Sequence, residues 1–211
     1  FFFFFMPYVY VVIDKYAVQM WTLRLFEFLA MLLRGSAAGA VAPVTMPTAS
    51  SPATSAEAVW AGWTGPNGGQ AANSWRFEGG AATSNQRTTL WSPESFGDFE
   101  LELEWKVGPR GNGGVFYHVS GSTERGSPEM QLSDPANTGG VGSGGLFGIQ
   151  APSKDLTKLN EWQTARLVVR GAKHEHWING ELVLAYDTDS GEFRRLLSAT
   201  TLPVKPDFSK S

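Results

Sequence analysis

The clearest pattern in the chain is a strict alternation of apolar and polar side chains over residues 99–107. The apolar positions are Phe99, Leu101, Leu103, Trp105 and Val107, and the polar ones between them are Glu100, Glu102, Glu104 and Lys106. Successive side chains of a strand point to opposite faces, so a period of two predicts a half-buried β-strand. One face of this strand is acidic and the other is apolar.

Several other segments have the same character and are separated by glycine-rich turns. The predicted strands lie at residues 75–78, 88–91, 114–119, 129–133, 146–149, 162–170 and 174–186. The last of them is interrupted by Asn179-Gly180, a dipeptide that tolerates the positive φ values of a type I′ turn and therefore predicts a hairpin. Residues 192–198 give a weak helical pattern. Short strands with regular turns and almost no helix predict an all-β sandwich, specifically a concanavalin A-like jelly roll.

The start of the chain has a different composition, and we predict that it precedes the folded domain and is not part of it. Residues 1–19 are of low complexity, and an apolar stretch from Leu25 to Leu33 precedes the small residues Ala40-Val41-Ala42. That order is typical of a secretory signal peptide, so we expect export to the periplasm or the exterior, with no stable membrane span. Residues 43–58 are rich in Pro, Ser, Thr and Ala and predict a flexible linker. The domains are therefore a leader-like segment over 1–42, the linker, and a β-sandwich over 59–211.

Composition narrows the function classes. The 24 glycines and the 13% aromatic residues suit a turn-rich β-protein. A net charge of −3 gives no reason to expect nucleic acid as a partner. The chain has no cysteine, which excludes disulfides, thiolate metal sites and a thiol nucleophile.

Alternation also predicts a polar cluster on one sheet face. If Met130 and Leu132 point into the sandwich, Glu129 and Gln131 point away from it. Neighbouring strands lie about 5 Å apart, so polar side chains of adjacent strands can converge. The predicted cluster contains Glu104, His118, Glu129, Gln131 and Asp134.

The order of these motifs resembles the 3-keto-disaccharide hydrolase domain family. The resemblance covers about residues 60–208 and is carried by Gly62-Trp63, Phe99-Glu100-Leu101 with Glu104-Trp105, Asn112-Gly113-Gly114-Val115, Glu129-Met130-Gln131 with Asp134, Leu146-Phe147-Gly148, Glu161-Trp162-Gln163 and His176-Trp177-Ile178-Asn179-Gly180. Gly113 replaces the usual Ser of the family, and His118 replaces a frequent Arg. The family pattern continues into a closing strand pair that would follow Ser211, so we expect a sandwich that lacks its C-terminal closing strands and exposes an edge.

The resemblance implies cleavage of a 3-keto-glycoside, with a carbohydrate as the partner. The 3-keto group acidifies the proton on C2, a general base removes it, and the glycosidic oxygen leaves C1. Under this hypothesis Glu129 is the first candidate for the base or for a metal ligand, and His118 is the second. Glu104, Asn112, Gln131 and Asp134 would form the substrate-binding set, in which Asn112 and Gln131 hold hydroxyl groups and Asp134 orients a partner or a loop. A divalent metal cofactor and the oligomeric state stay open.

Three alternatives remain at this point. Lectin-like jelly rolls share the architecture, so the domain could be a non-catalytic carbohydrate-binding module. An inactive truncated fragment is the second alternative. His174 and His176 share a strand face and could form a metal pair, although their position beside a hairpin favours packing. Trp105 and Trp162 are predicted core residues and not sugar platforms.

Overall fold

Over the residues that the structure describes, the protein is a two-sheet β-sandwich with one α-helix. The structure is a computed structural model, which describes residues 8–13, 21–25, 60–78, 81–84, 87–120, 123–137, 140–205 and 208. Within those ranges the elements are β1 (Tyr8–Ile13), β2 (Trp21–Leu25), β3 (Arg76–Glu78), β4 (Ala81–Ser84), β5 (Thr88–Ser95), β6 (Phe99–Lys106), β7 (Asn112–Val119), β8 (Glu129–Ser133), β9 (Gln163–Arg170), β10 (Lys173–Ile178), β11 (Glu181–Asp187) and α1 (Gly191–Ala199).

The strands form a four-stranded sheet of order β5-β1-β7-β8 and a seven-stranded sheet of order β11-β10-β9-β6-β2-β4-β3. Every pair of neighbouring strands is antiparallel. The core lies between the two sheets, because Leu103 and Trp105 of the larger sheet share one apolar cluster with Val115, Met130 and Leu132 of the smaller sheet. The expected all-β sandwich is confirmed.

Local sequence rules account for the best-defined elements. The alternating residues of β6 bury Leu103 and Trp105 and leave Glu102 exposed. The predicted hairpin joins β10 to β11, with φ of 51° at Asn179 and 78° at Gly180, as a type I′ turn requires. Ser190 is the N-cap of helix α1, and its hydroxyl oxygen accepts a hydrogen bond from the Phe193 amide.

Helix α1 packs on the edge of the sandwich through a second apolar cluster. Phe193, 1% exposed, lies with Leu146, Leu184 and Phe208. The ring of Phe193 also stacks on Tyr186, with 5.1 Å between centroids and 8° between planes. The helix is therefore fixed to β11 and to the segment around residue 146.

Three expectations differ from the structure. Strand β5 continues to Ser95, beyond the predicted end at residue 91. Residues 146–149 form a turn with isolated bridges at Leu146 instead of a strand. Trp105 is buried as predicted, but Trp162 is only partly buried, and its ring lies 5.2 Å from the ammonium of Lys106.

The structure also describes two strands near the start of the chain. Strand β1 lies between β5 and β7, and β2 lies between β4 and β6. Both strands come from residues 1–42, the segment that the sequence analysis placed before the folded domain. The run Tyr8-Val9-Tyr10-Val11-Val12-Ile13 consists of aromatic and β-branched residues, which favour strands. A leader cleaved after Ala42 could not also supply these two interior strands.

The predicted cleavage site at 40–42 and the predicted linker at 43–58 lie outside the described residues. In the part of the chain that the structure describes, no helix has the length and apolar character needed to span a bilayer. Export stays a prediction.

Candidate functional site

Four of the predicted site residues lie together at β7 and β8. The two strands pair with Gly114 opposite Gln131 and Phe116 opposite Glu129. Met130 and Leu132 are 1% and 0% exposed in the core between the sheets. Strand alternation therefore directs Glu129 and Gln131 to the outer face of the four-stranded sheet. Asn112 begins β7 on the same face.

The carboxylate of Glu129 lies over the backbone of Gly114. A Cβ atom at position 114 would be 2.6 Å from Glu129 Oε1 and 2.6 Å from the Met130 carbonyl oxygen. Glu129 itself is half-buried. Only a residue without a side chain leaves room for this carboxylate, so Gly114 sets its position.

Gln131 is completely buried and holds a loop against the sheet. Its Oε1 accepts from the Val141 amide at 2.7 Å, and its Nε2 donates to Asn112 Oδ1 at 3.0 Å. Gly140 passes so close that a Cβ there would lie 2.4 Å from Gln131 Nε2. The amide predicted to bind a sugar hydroxyl is thus occupied in fixing residues 140–141 over β8.

Asp134 orients two backbone turns. Its Oδ2 accepts from the Arg110 amide at 2.5 Å, and its Oδ1 accepts from the Ala136 amide at 2.8 Å. The side chain is 3% exposed. These two hydrogen bonds hold the backbone before β7 and after β8 in place, and the predicted role of Asp134 in substrate binding stays a prediction.

Glu104 does not belong to this group. It lies in β6 of the seven-stranded sheet, opposite Thr164 of β9. Its neighbours Leu103 and Trp105 point into the core, so Glu104 faces outward on the far side of the sandwich. Alternation correctly predicted that Glu104 points away from the core, but its strand belongs to the seven-stranded sheet and not to the sheet that carries Glu129.

His118 also lies elsewhere, because a β-bulge turns it inward. Tyr10 of β1 pairs with Phe116 and Tyr8 pairs with Val119, so two residues of β7, Tyr117 and His118, oppose one residue of β1. His118 has a φ of 50° and is 3% exposed. Its ring lies 5.1 Å from that of His174, between the sheets and away from the outer face that carries Glu129.

The three histidines of the chain meet in the interior with two tyrosines. Four of these side chains form a continuous hydrogen-bonded chain. His176 Nδ1 lies 2.8 Å from the Gly144 carbonyl oxygen, and its Nε2 lies 3.0 Å from Tyr117 Oη. Tyr117 Oη contacts Tyr186 Oη, which lies 2.8 Å from His174 Nδ1. This hydrogen-bonded chain ends at His174 Nε2, which lies 3.3 Å from the Gly171 carbonyl oxygen.

The number of protons limits this hydrogen-bonded chain. Five contacts link four side chains to two carbonyl oxygens, but four neutral side chains supply four protons. One of the five contacts therefore lacks a proton at any one time, and the tautomers of His174 and His176 decide which contact it is.

Burial keeps all four side chains of this hydrogen-bonded chain neutral. Desolvation is the main cause that lowers the pKa of His174 to about 3 and that of His176 to about 4, and the neighbouring His118 and His176 lower that of His174 further. Burial likewise raises the pKa of both Tyr117 and Tyr186. The sequence signal for this cluster was the spacing of His174 and His176, which predicts a shared strand face but not the tyrosine partners.

Among the described residues, no three histidine or carboxylate side chains are arranged to hold a metal ion. On the face that carries Glu129, the side-chain oxygens of Gln131 and Asn112 belong to amides. Both Gln131 Oε1 and Asn112 Oδ1 already accept hydrogen bonds.

A groove of about 390 Å³ opens beside this cluster, between β10, β11 and α1. His174 and Tyr186 contribute to its lining, together with the charged side chains of Lys173, Glu175, Asp187 and Glu192. The neutral cluster therefore lies next to an open groove whose charged side chains are three carboxylates and one ammonium group.

Residues 57–206 match a family of domains described as 3-keto-alpha-glucoside-1,2-lyase-like. The chain is 27% identical over 171 residues to a 3-keto-disaccharide hydrolase of Bacteroides thetaiotaomicron; the match covers 66% of this chain and 59% of that protein. The chain thus spans less than two thirds of that relative. A solved structure from Parabacteroides distasonis, of a protein assigned as a glycosyl hydrolase, has the same fold, with a TM-score of 0.58 and 22% identity over 70% of this chain and 77% of the other.

Proposed function

Because the chain belongs to the family of 3-keto-alpha-glucoside-1,2-lyase-like domains, we propose that it cleaves the glycosidic bond of 3-keto-disaccharides or 3-keto-glucosides. The name of the relative from Bacteroides thetaiotaomicron supports this substrate class. The outer face of β7 and β8 supplies the residues for the reaction. Its ligand is a carbohydrate that carries a ketone at C3.

The reaction proceeds by elimination. A base removes the C2 proton, and the electrons of the C2–H bond form an enolate with the C3 carbonyl. Collapse of the enolate re-forms the ketone, makes a C1–C2 double bond and expels the glycosidic oxygen, which takes up a proton. Addition of one water molecule across this double bond, with its hydroxyl at C1 and its proton at C2, then gives net hydrolysis.

Glu129 is the proposed base. The observation that carries this assignment is its half-buried carboxylate over Gly114, at an outward-facing strand position. Asn112 lies on the same face and Gln131 fixes the adjacent loop. His118, the second candidate, lies inside the sandwich against His174, so it has no part in the proposed proton transfer.

The test is an assay of the purified chain on a 3-keto-disaccharide and on its unoxidised parent. We expect release of the 3-keto sugar only from the oxidised compound, because the parent lacks an acidic C2 proton. The Glu129→Gln variant should lose about 10²- to 10⁴-fold in rate, the usual contribution of a positioned base.

Glu94→Gln is the matched control, because Glu94 is an exposed glutamate of β5. It should keep the parent rate. Full activity of Glu129→Gln would refute the base assignment. Equal cleavage of the unoxidised disaccharide would instead indicate the paired-carboxylate route of ordinary glycosidases.

A further inference from the structure

A row of side chains crosses four strands on the outer face of the seven-stranded sheet. Trp177 of β10 pairs with Leu182 of β11 on one side and with Arg166 of β9 on the other. Arg166 pairs in turn with Glu102 of β6. Leu182 is 42% exposed, one of the two large apolar side chains that are most exposed among the described residues. The row therefore runs from an apolar end to an acidic end.

Trp177 is held in a fixed orientation within this row. Its Nε1 donates to Glu175 Oε2 at 3.0 Å, and the guanidinium carbon of Arg166 lies 5.2 Å from the indole centroid. The side chain is half-buried. An indole that is already ordered loses little conformational freedom when a ligand binds to it.

A groove of about 350 Å³ lies along the row and is lined by Glu102, Thr164, Arg166, Trp177 and Gly180, with parts of Leu103 and Ala165. This volume is at the small end of the usual range for small-molecule sites. At Gly180 a Cβ atom would meet nothing within 4 Å, so this end of the groove is open.

The carboxylates beside the groove differ in the number of hydrogen bonds that they already accept. Glu100 accepts from Arg166 Nε at 2.6 Å and from Arg170 Nη2 at 3.5 Å. Glu102 Oε1 is 3.8 Å from Arg166 Nε, beyond hydrogen-bond distance, and its side chain is 53% exposed. The Glu102 carboxylate therefore has capacity to accept ligand hydroxyl groups, and the Arg166 guanidinium carries donors besides the Nε–H that Glu100 binds.

We propose that this groove is a second carbohydrate site, which binds a neutral sugar ring without cleaving it. A pyranose presents C–H groups that pack on an indole and hydroxyl groups that pair with carboxylate and guanidinium. The two charged side chains of the lining, Glu102 and Arg166, have opposite signs, so the groove has no net charge and favours a neutral ligand. The site goes beyond the proposed cleavage, because it lies on the opposite sheet from Glu129 and contributes no proton transfer.

The test uses sucrose, an unoxidised disaccharide that cannot enter the elimination. Titration of the isotope-labelled chain, followed by amide NMR shifts, should move Thr164, Arg166, Trp177 and Gly180 with a Kd in the millimolar range. Trp177→Ala should weaken binding at least about tenfold. Glu102→Ala, at an exposed position that should not disturb folding, should weaken it several-fold.

Two variants serve as controls. Leu159→Ala removes the other large apolar side chain that is more than a third exposed among the described residues, and Glu129→Gln removes the proposed base; both should bind sucrose like the parent chain. The proposal is overturned if sucrose shifts none of the groove amides, or if both groove variants bind as the parent does. Sucrose binding without turnover of the 3-keto-disaccharide would instead refute the proposed function and leave this site standing.

Discussion

At the scale of single residues, the position of the proposed base depends on a neighbour that has no side chain. Glu129 can lie over β7 only because residue 114 is glycine. The sequence analysis gave Asn112-Gly113-Gly114-Val115 as one of the motifs that carry the family resemblance. The structure places Gly114 inside β7, so its role is to leave space for a carboxylate rather than to form a turn.

This predicts the effect of Gly114→Ala. The added methyl group would collide with Glu129 Oε1 and with the Met130 carbonyl oxygen, both at 2.6 Å. We expect a loss of about 1–3 kcal/mol in the free energy of unfolding, as for other overpacked sites, and a fall in kcat that exceeds the change in folded fraction. Denaturant unfolding and steady-state kinetics measure the two effects.

Gly97→Ala is the control for that change, because a Cβ at position 97 would meet nothing within 4 Å. It should leave both stability and kcat close to the parent values. Parent-like kcat in Gly114→Ala would show that the carboxylate position is not set by this contact.

At the scale of elements, one buried amide joins a loop to a strand. Gln131 of β8 binds the Val141 amide and Asn112 Oδ1 while Gly140 passes directly over it. Residues 135–145 are rich in glycine and have no strand periodicity, a pattern that is typical of a flexible loop. Hydrogen bonds from β8 fix part of this loop, as Gly144 N also donates to the Gln131 carbonyl oxygen at 2.7 Å.

We therefore expect Gln131→Met to release the loop. The substitution keeps the approximate length of the side chain but removes both hydrogen bonds, at a cost of about 1–3 kcal/mol for the buried partners. Limited proteolysis should cut faster between residues 135 and 145. Gln70→Met, at an exposed glutamine, should be cut at the parent rate, and equal rates for both variants would contradict the role of Gln131.

At the scale of the whole molecule, the tyrosine–histidine chain connects the two sheets and makes stability depend on pH. His174 and His176 belong to the seven-stranded sheet and Tyr117 to the smaller one. The folded pKa values of the histidines, about 3 and about 4, lie below the unfolded value of 6.5. The unfolded chain therefore binds protons that the folded chain excludes, so this contribution is full above pH 6.5 and is lost as pH falls toward 4.

Between pH 7 and pH 5 we expect each of the two histidines to remove about 2 kcal/mol from the free energy of unfolding. Denaturant unfolding at several pH values measures this slope. The His176→Gln variant should be less stable at pH 7 but should show a shallower slope, because one titrating group is gone. An unfolding free energy that is independent of pH across this range would contradict neutral burial of the pair.

The start of the chain decides whether both sheets are continuous. Strand β1 separates β5 from β7, and β2 separates β4 from β6, so loss of these strands leaves unpaired edges inside each sheet. We expect a chain that starts at Met6 to fold like the full sequence, one that starts at Met20 to be less stable, and one that starts at Pro43 to aggregate or to lose cooperative unfolding. Size-exclusion chromatography and thermal melting of the three forms provide the measurement. A Pro43 form as stable as the Met6 form would show that the leader-like segment is dispensable, as signal cleavage requires.

The sequence by itself determined the class of fold, the strands β6 to β11, the Asn179-Gly180 hairpin and the family, because these depend on local periodicity and on the order of motifs. It also predicted that Glu129 and Gln131 share an outward face. Only the tertiary structure decided that Glu104 lies in the other sheet and that His118 turns inward at a bulge. Alternation fixes the face of a side chain relative to its own strand, whereas strand partners, bulges and the meeting of Tyr117, His174, His176 and Tyr186 depend on contacts between residues far apart in the chain.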